Sequence, residues 1–398
     1  MPTAAACASF LRDIKPPRIP SKAAAHQRMV SLRSGDGSAA ERRQRRLWVL
    51  IPFGFEYETL LLQMLTLTEV VDGFLVSEAT DVHTGNQDKP AILQAKLAAG
   101  EVPARLARKL TVAVSNLATD ARCLPHINRH RVNYERTECY EQWQRYVLLG
   151  MLFRVASPSD VAIVADADEI ARPETARLLR ECYPFGTKES RVTMQTRYVE
   201  PSMVALHGIA YAHGVHCPTR ETWTAGPRAF GVGHLLERYA DPAAEGAAAA
   251  NASRLGQDSR DFTFTRAGSE FSTAVLQRVA WHLTSVGDGA ALRRKLTTWL
   301  HAGRYVNAAG AQLVLAPTRL ERCARYCLST RGTAPCAGRD DGASEKLRGS
   351  WVPRMRDVAR QDLPPPLLRA DARSRFPAMF YYVDNTTAAW GVELLVGF

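Results

Sequence analysis

Hydrophobic and polar positions in the first half of the chain alternate between short apolar runs and helical repeats. The apolar runs predict β-strands at residues 46–53, 72–80, 109–117 and 160–170. Apolar residues at helical spacing predict α-helices at 56–71, 91–100, 138–156 and from Pro173 onward. Strands that alternate with helices are typical of a mostly parallel sheet covered on both faces. We therefore expect an α/β fold.

Beyond residue 190 the pattern is less regular. Residues 191–200 have the composition of a strand, and residues 291–306 have the spacing of a helix. Two stretches, 241–260 and 330–350, are rich in small and polar residues and predict surface loops. No internal repeat is visible.

The net charge of +11 is concentrated at the amino terminus. Residues 1–46 contain ten Lys or Arg and three Asp or Glu, which leaves +4 for the other 352 residues. This segment is rich in Ala, Ser, Pro and Arg, a composition that predicts a disordered basic tail. The nearly neutral body argues against a nucleic-acid-binding groove. The longest apolar run, at 147–153, is too short to span a bilayer, so we expect membrane association only if an anchor is missing from this chain.

Eight cysteines in 398 residues are too few to form a disulfide scaffold. Cys323, Cys327 and Cys336 lie close together, but no fourth ligand follows at a spacing typical of zinc. A local disulfide or buried thiols are favoured there over a partial metal site.

Three acids follow the most hydrophobic predicted strand, in the stretch VAIVADADEIARP at 161–173. Asp166 and Asp168 are two residues apart, so in an extended segment they point to the same side. Carboxylates at the end of a parallel strand are well placed to hold Mg²⁺ or Mn²⁺ together with a substrate phosphate. In the alternative interpretation, these acids only begin a turn and cap the helix at Pro173.

Two classes of enzyme use such an acid pair. In a sugar-nucleotide glycosyltransferase the metal neutralises the leaving diphosphate, and in a phosphohydrolase of the haloacid-dehalogenase type the first Asp is the nucleophile. The second class usually has Thr or Val where this chain has Ile170, and its motif usually begins the domain. A possible distal acid pair, at 339–342, lies in a predicted loop.

Ordered blocks along residues 47–382 resemble glycosyltransferase family 17, the family of the β-1,4-mannosyl-glycoprotein N-acetylglucosaminyltransferase that adds bisecting N-acetylglucosamine. The blocks are IPFGFEYETLLLQMLTLTEVVDGFLVSEA, HTGNQDKP, EQWQR, DADEI and WHLTSVGDGAALRRKLTTWLH. The chain departs from the family pattern in a loop at 83–90 that is one residue longer, in Thr284, and in Gly303.

The resemblance implies a GT-A-like fold, with a single catalytic domain at 47–398. Its nucleotide half would span about 47–185 and its acceptor half about 186–398. It also implies that Asp166 and Asp168 hold Mn²⁺, or Mg²⁺, against the diphosphate of UDP-N-acetylglucosamine. His282 would complete the metal site or contact the diphosphate.

Other site residues follow from the same blocks. The catalytic base for an inverting transfer is expected among Glu78, Glu141 and Glu169. Residues expected to contact the donor or to orient the site are His83, Gly85, Lys89, Gln144, Arg145, Trp281, Lys295 and His301. Trp281 is expected to stack on a sugar or on uracil.

The sequence therefore predicts a metal-assisted transfer of N-acetylglucosamine to a mannose-containing glycan or glycoprotein, with N-glycans among the candidate acceptors. The resemblance implies the Golgi or secretory lumen. The alternatives are a metal-dependent phosphohydrolase and a sugar-nucleotide-binding protein that has lost catalysis.

Overall fold

A computed structural model describes eleven parts of the chain: residues 2–14, 45–83, 88–116, 134–185, 203–212, 218–224, 226–239, 273–284, 286–298, 321 and 362–380. Within them the β-strands are β1 Leu47–Phe53, β2 Gly73–Ala79, β3 Leu110–Ser115, β4 Val161–Val164, β5 Glu169–Ala171, β6 Met203–Ala212, β7 Pro218–Trp223, β8 Arg228–Gly231 and β9 Thr273–Thr284.

The helices in these parts lie on both faces of the sheet. They are α1 Ala4–Asp13, α2 Tyr57–Leu67, α3 Ile92–Ala98, α4 Ala104–Ala107, α5 Tyr134–Val155, α6 Pro173–Cys182, α7 Val232–Tyr239, α8 Gly289–Thr298 and α9 Ala372–Arg375. Two 3₁₀ turns, Pro365–Leu368 and Pro377–Phe380, flank α9. No helix of the described residues is long and apolar enough to cross a bilayer.

All nine described strands belong to one mixed sheet in the order β3-β2-β1-β4-β8-β6-β9-β5, with β7 paired to β6. Strands β1 to β4 pair in parallel, and β6 and β9 run in the same direction as they do. Strands β5, β7 and β8 run the opposite way. Six of the nine strands share one direction, which confirms the predicted α/β class with a mostly parallel sheet.

The predicted strands and helices of residues 46–182 are present, with one change. The strand predicted at 160–170 is two strands, β4 and β5, separated by the turn that contains Asp166 and Asp168. Residues in β1 and β4 are almost entirely buried because helices cover both faces of the sheet, which accounts for their near-continuous apolar sequence.

Two apolar clusters form the core, one on each face of the sheet. The larger contains most of α2, α6 and the end of α1, and the smaller contains the apolar face of α5. A carboxyl-terminal wall, residues 362–380, packs on the larger cluster through Phe376 and Met379, which are fully buried.

The amino terminus departs from the predicted disordered tail of residues 1–46. Residues 4–13 form α1, which Thr3 caps through a hydrogen bond from the Ala6 amide. Phe10 and Leu11 are buried, and a disulfide joins Cys7 to Cys182 of α6. An amphipathic helix of ten residues is marginal alone, so this packing and cross-link hold it in place.

Several predictions concern residues outside the described ranges. These are the remainder of the tail at 15–44, the strand at 191–200, the loops at 241–260 and 330–350, the three clustered cysteines, Gly85 and His301.

Candidate functional site

A cavity of about 1130 Å³ opens at the carboxyl ends of β1 and β4. Its walls come from the end of β1, the start of α2, one face of α5, the β4–β5 turn, the end of β9, α8 and the carboxyl-terminal wall. Ligands of open α/β sheets bind at this edge, and the volume suits a nucleotide-sized ligand.

Asp166 and Asp168 both line this cavity, and each one pairs with a cation that is largely buried. Arg145 Nη2 donates to Asp166 Oδ1 at 2.6 Å and to Glu141 Oε1 at 2.8 Å. Lys295 Nζ donates to Asp168 Oδ2 at 2.7 Å and lies 3.2 Å from Glu56 Oε1. These two cations, from α5 and α8, offset the repulsion between the acids that the sequence places together.

Burial and charge act in opposite directions on these groups. Burial raises the pKa of the Asp168 carboxyl, but Lys295 and His282 outweigh it and hold that pKa well below its usual range. Burial likewise lowers the pKa of Lys295, yet Asp168 and Glu56 raise it above the ordinary lysine value. Asp168 therefore stays ionised at neutral pH, as a ligand for a cation must.

The β4–β5 turn, which carries Asp166 and Asp168, is held in place by a buried glutamine of α2. Gln63 of α2 is fully buried, and its Nε2 donates to the backbone oxygen of Glu169 at 2.7 Å and to that of Asp166 at 3.4 Å. Gln63 thus gives the Glu169 carbonyl a donor and adds a longer contact to the Asp166 carbonyl, which already accepts from the Glu169 amide at 3.0 Å.

Trp223, at the end of β7, links the third acid to His282. Its ring stacks on the His282 ring at 3.9 Å with 11° between the planes, and its Nε1 donates to Glu169 Oε1 at 3.0 Å. The other oxygen of Glu169 accepts from the Asp166 amide at 3.2 Å. His282 Nε2 lies 3.7 Å from Asp168 Oδ2.

His83 and Gln144 form a second polar contact on the cavity wall, with 2.7 Å between His83 Nε2 and Gln144 Oε1. Gln144 is buried, and its Nε2 donates to the carbonyls of Phe53 and Ser77 at the ends of β1 and β2. The glutamine thus joins two strand ends to the loop that begins at His83.

Glu78 lies behind the cavity wall and not on it. The side chain is fully buried, and its two oxygens accept from the amides of Leu93 and Gln94 at the start of α3. Lys89 Nζ lies 3.6 Å from Glu78 Oε1 and does line the cavity. Burial lowers the pKa of Lys89, although Glu78 opposes that shift. Glu78 is therefore poorly placed to meet an acceptor hydroxyl, and its contacts fit a structural role.

The prediction that Trp281 stacks on a ligand is corrected by the structure. Trp281 is 2% exposed and does not line the cavity; its Nε1 donates to the backbone oxygen of Asp362, and Arg172 covers its ring at 4.5 Å. Consecutive residues of a strand point to opposite faces, so only one of Trp281 and His282 can reach the cavity. His282 does, and Trp223 supplies the aromatic ring there instead.

Of the predicted site residues within the described ranges, the structure brings most to one cavity. They are His83, Lys89, Glu141, Gln144, Arg145, Asp166, Asp168, Glu169, His282 and Lys295. Sequence reasoning missed Trp223, Glu56 and Gln63. Only Gln63 had a local signal, because it is a polar residue within the apolar run of α2. Trp223 and Glu56 reach the site through contacts between segments that are distant in the sequence.

The cavity lining is acidic overall. Its carboxylates are Glu56, Glu58, Asp81, Glu141, Asp166, Asp168, Glu169 and Asp288. Its permanent cations are Lys89, Lys96, Arg145, Arg294 and Lys295. Eight carboxylates against five cations leave an excess of three negative charges, with histidines neutral.

This donor set fits a divalent ion that is bound together with a phosphate ligand. Within the described ranges no group of three or more His, Cys, Asp or Glu side chains is placed to hold a metal ion alone. Mg²⁺ and Mn²⁺, however, are often held by one or two carboxylates, with waters and substrate phosphates as the other ligands. Asp166, with 30% of its side chain exposed, and Asp168 provide those two carboxylates.

A comparison with models of known protein families finds no match to this chain, and neither does a comparison with curated proteins.

Proposed function

We propose that the protein is a metal-assisted glycosyltransferase that moves N-acetylglucosamine from UDP-N-acetylglucosamine to a mannose-containing glycan. The observation that carries the proposal is the acid pair itself. Asp166 and Asp168 lie at the carboxyl edge of the parallel strands and face a large cavity whose lining has three excess negative charges.

The charge excess supports the need for a cation. A nucleotide diphosphate is an anion, and a lining with net negative charge repels it unless a cation intervenes. Asp166 and Asp168 would hold Mn²⁺ or Mg²⁺, which when bound stabilises the charge on the departing diphosphate. Lys295, 2.7 Å from Asp168, and Lys89 are positioned to attract the remaining phosphate charge.

The other cavity residues have roles that follow from their contacts. Arg145 fixes the Asp166 carboxylate in place, since it also holds Glu141 and is buried. Trp223 is half-buried and lines the cavity, so its ring provides an apolar surface for a sugar or for uracil. The carboxyl-terminal wall closes one side through Pro377 and Ala378.

Thermal unfolding with UDP, with Mn²⁺ and with both tests the proposal. We expect UDP and Mn²⁺ together to raise the melting temperature more than the sum of their separate effects. Asp168→Asn should abolish that joint effect, because it removes one of the two carboxylate ligands and leaves Lys295 without this partner beside the phosphate site. Indifference of the wild-type protein to UDP in the presence of Mn²⁺ or Mg²⁺ would exclude a sugar-nucleotide site.

A phosphohydrolase remains the second candidate because its acid pair occupies the same kind of strand end. The structure offers it less support: Ile170 is fully buried in β5, and the acid pair at 339–342 lies outside the described ranges. Release of inorganic phosphate and an aspartyl-phosphate on Asp166 would favour the hydrolase. Binding of UDP and Mn²⁺ without any turnover would favour the inactive binding protein.

The Cys7–Cys182 disulfide supports a secretory compartment, as the resemblance implies. Disulfides persist in oxidising environments, such as the lumen of the secretory pathway, and are rare in the cytosol. We propose the secretory lumen on this basis, and the Golgi within it because of the family resemblance alone. Mass spectrometry of the protein from its native cells, after alkylation without reductant, would contradict this if Cys7 were modified.

A further inference from the structure

His83 is a cavity-lining side chain with one ring nitrogen fixed by its surroundings. Its Nε2 is 2.7 Å from Gln144 Oε1. A histidine can donate or accept through that nitrogen, so the glutamine decides which ring nitrogen carries the hydrogen.

The Gln144 amide can point in one direction only. Its nitrogen lies 3.2 Å from the Phe53 carbonyl oxygen and 3.1 Å from the Ser77 carbonyl oxygen. Both carbonyls only accept hydrogen bonds, so the amide nitrogen must face them and the amide oxygen must face His83. Because Gln144 is 2% exposed, turning the amide over would leave buried carbonyls facing an oxygen.

The orientation of Gln144 sets the tautomer of His83. Gln144 Oε1 only accepts, so His83 Nε2 must carry a hydrogen and donate it. In the neutral ring Nδ1 then has a lone pair. Within the described part of the chain, Nδ1 has no hydrogen-bond partner. A histidine whose second nitrogen is held by a fixed acceptor is the usual arrangement of a general base.

The same helix face connects His83 to the acid pair. Gln144, which contacts His83, and Arg145, which donates to Asp166, are consecutive residues of α5. Both lie on the cavity wall together with His83. The proposed proton acceptor and one of the two acids that would hold the leaving group are therefore held by neighbouring residues of one helix.

The three carboxylates expected as bases are less available. Glu78 is buried behind the wall, and Glu141 is in an ion pair with Arg145. Both oxygens of Glu169 already accept hydrogen bonds, from the Asp166 amide and Trp223. Protonation of Glu141 would remove the charge that Arg145 pairs with, and protonation of Glu169 would remove the charge that strengthens its two accepted hydrogen bonds.

We propose that His83 is the general base of the reaction, an assignment that rests on the proposed glycosyl transfer. Nδ1 takes the proton of the acceptor hydroxyl, and the oxygen forms a bond to the anomeric carbon of N-acetylglucosamine. The bond from that carbon to the β-phosphate oxygen breaks, and its electron pair leaves with UDP. The imidazolium, stabilised at Nε2 by Gln144, then returns its proton to solvent.

The tautomer of His83 can be measured without an activity assay. Long-range ¹H–¹⁵N spectra of protein labelled in histidine distinguish a protonated ring nitrogen from a bare one. His83→Ala assigns the signals by their loss. We expect hydrogen on Nε2 and a bare Nδ1 at a pH where the ring is neutral. Hydrogen on Nδ1 would overturn the proposal, whatever the reaction is.

Kinetics test the role itself, with a matched control in the same chain. His207 also contacts a glutamine, Gln277, at 3.2 Å, but it does not line the cavity. The assay is UDP release from UDP-N-acetylglucosamine with Mn²⁺, with a mannose-containing N-glycan core or water as acceptor. We expect His83→Ala to lose about 10²-fold or more in kcat, with partial rescue by added imidazole. His207→Ala should stay within about twofold of wild type.

The outcomes separate this assignment from the proposed function. A wild-type rate in His83→Ala, with UDP and Mn²⁺ still stabilising the wild-type protein, would overturn the base and leave the transferase. Failure of the wild-type protein to bind or turn over the donor would overturn both. Loss of UDP and Mn²⁺ binding in His83→Ala would also overturn the base, because a base is not needed for binding.

Discussion

The first prediction concerns the contribution to stability of Arg145, the cation between Glu141 and Asp166. Its side chain is 5% exposed, and it lies 2.8 Å and 2.6 Å from the two carboxylates. Arg145→Met keeps much of the apolar stem but leaves two acids facing each other without a counterion. Removing one partner of a buried ion pair costs about 3–5 kcal/mol. Because 30% of the Asp166 side chain is exposed, we expect the low end, about 3 kcal/mol.

Urea unfolding measures this loss, which corresponds to roughly a hundredfold in the unfolding equilibrium constant. A matched control is Arg375→Met, since Arg375 pairs with Asp371 at the same i, i+4 spacing but with 29% and 59% of the two side chains exposed. That variant should lose less than about 0.5 kcal/mol. Mn²⁺ should also stabilise Arg145→Met more than it stabilises the wild-type protein, because it replaces the lost positive charge. A loss below about 1 kcal/mol in Arg145→Met would refute the pairing.

Three further predictions concern other contacts. Acid should lower the free energy of unfolding as the pH falls below about 4, the ordinary Asp value, because the depressed pKa of Asp168 contributes its full stability above that value and loses it progressively below. Asp168→Asn should flatten that part of a urea-midpoint series. Trp281→Ala should cost about 3–5 kcal/mol in urea unfolding, whereas Trp223→Ala should cost less and should weaken UDP-N-acetylglucosamine turnover; equal costs would contradict their placement. Cys7→Ser should lower stability by about 2–5 kcal/mol under non-reducing conditions and have no effect in reductant.

The parallel half of the sheet was predictable because its signals are local. Strands β1 to β4 are short apolar runs, and each run is separated from the next by a recognisable helix. The antiparallel part was not, since β5 pairs with β9 across 113 residues at the register Glu169 to His282. No periodicity in the sequence encodes a pairing of that range.

The site was predictable where its residues belong to compact motifs and not where they meet through tertiary structure. The DADEI and EQWQR motifs indicated the acids, Gln144 and Arg145, and the structure brings them into one cavity. Whether Trp281 or His282 faces that cavity depends on the register of β9. The sequence alone does not determine that register.

The amino-terminal helix shows the same limit. Its composition, together with the basic residues that follow, is typical of a disordered tail. Its partner α6 is encoded far along the chain, and the disulfide between Cys7 and Cys182 closes a sequence separation of 175 residues. The eight cysteines gave no reason to choose that pair over any other.

The most direct test of sugar transfer through the acid pair is product analysis with UDP-N-acetylglucosamine, Mn²⁺ and a mannose-containing N-glycan core. We predict that UDP accumulates together with a glycan heavier by one N-acetylhexosamine, without inorganic phosphate. Both products should disappear in Asp168→Asn. Inorganic phosphate as the product, or unchanged UDP release in Asp168→Asn, would contradict a transferase that works through these acids.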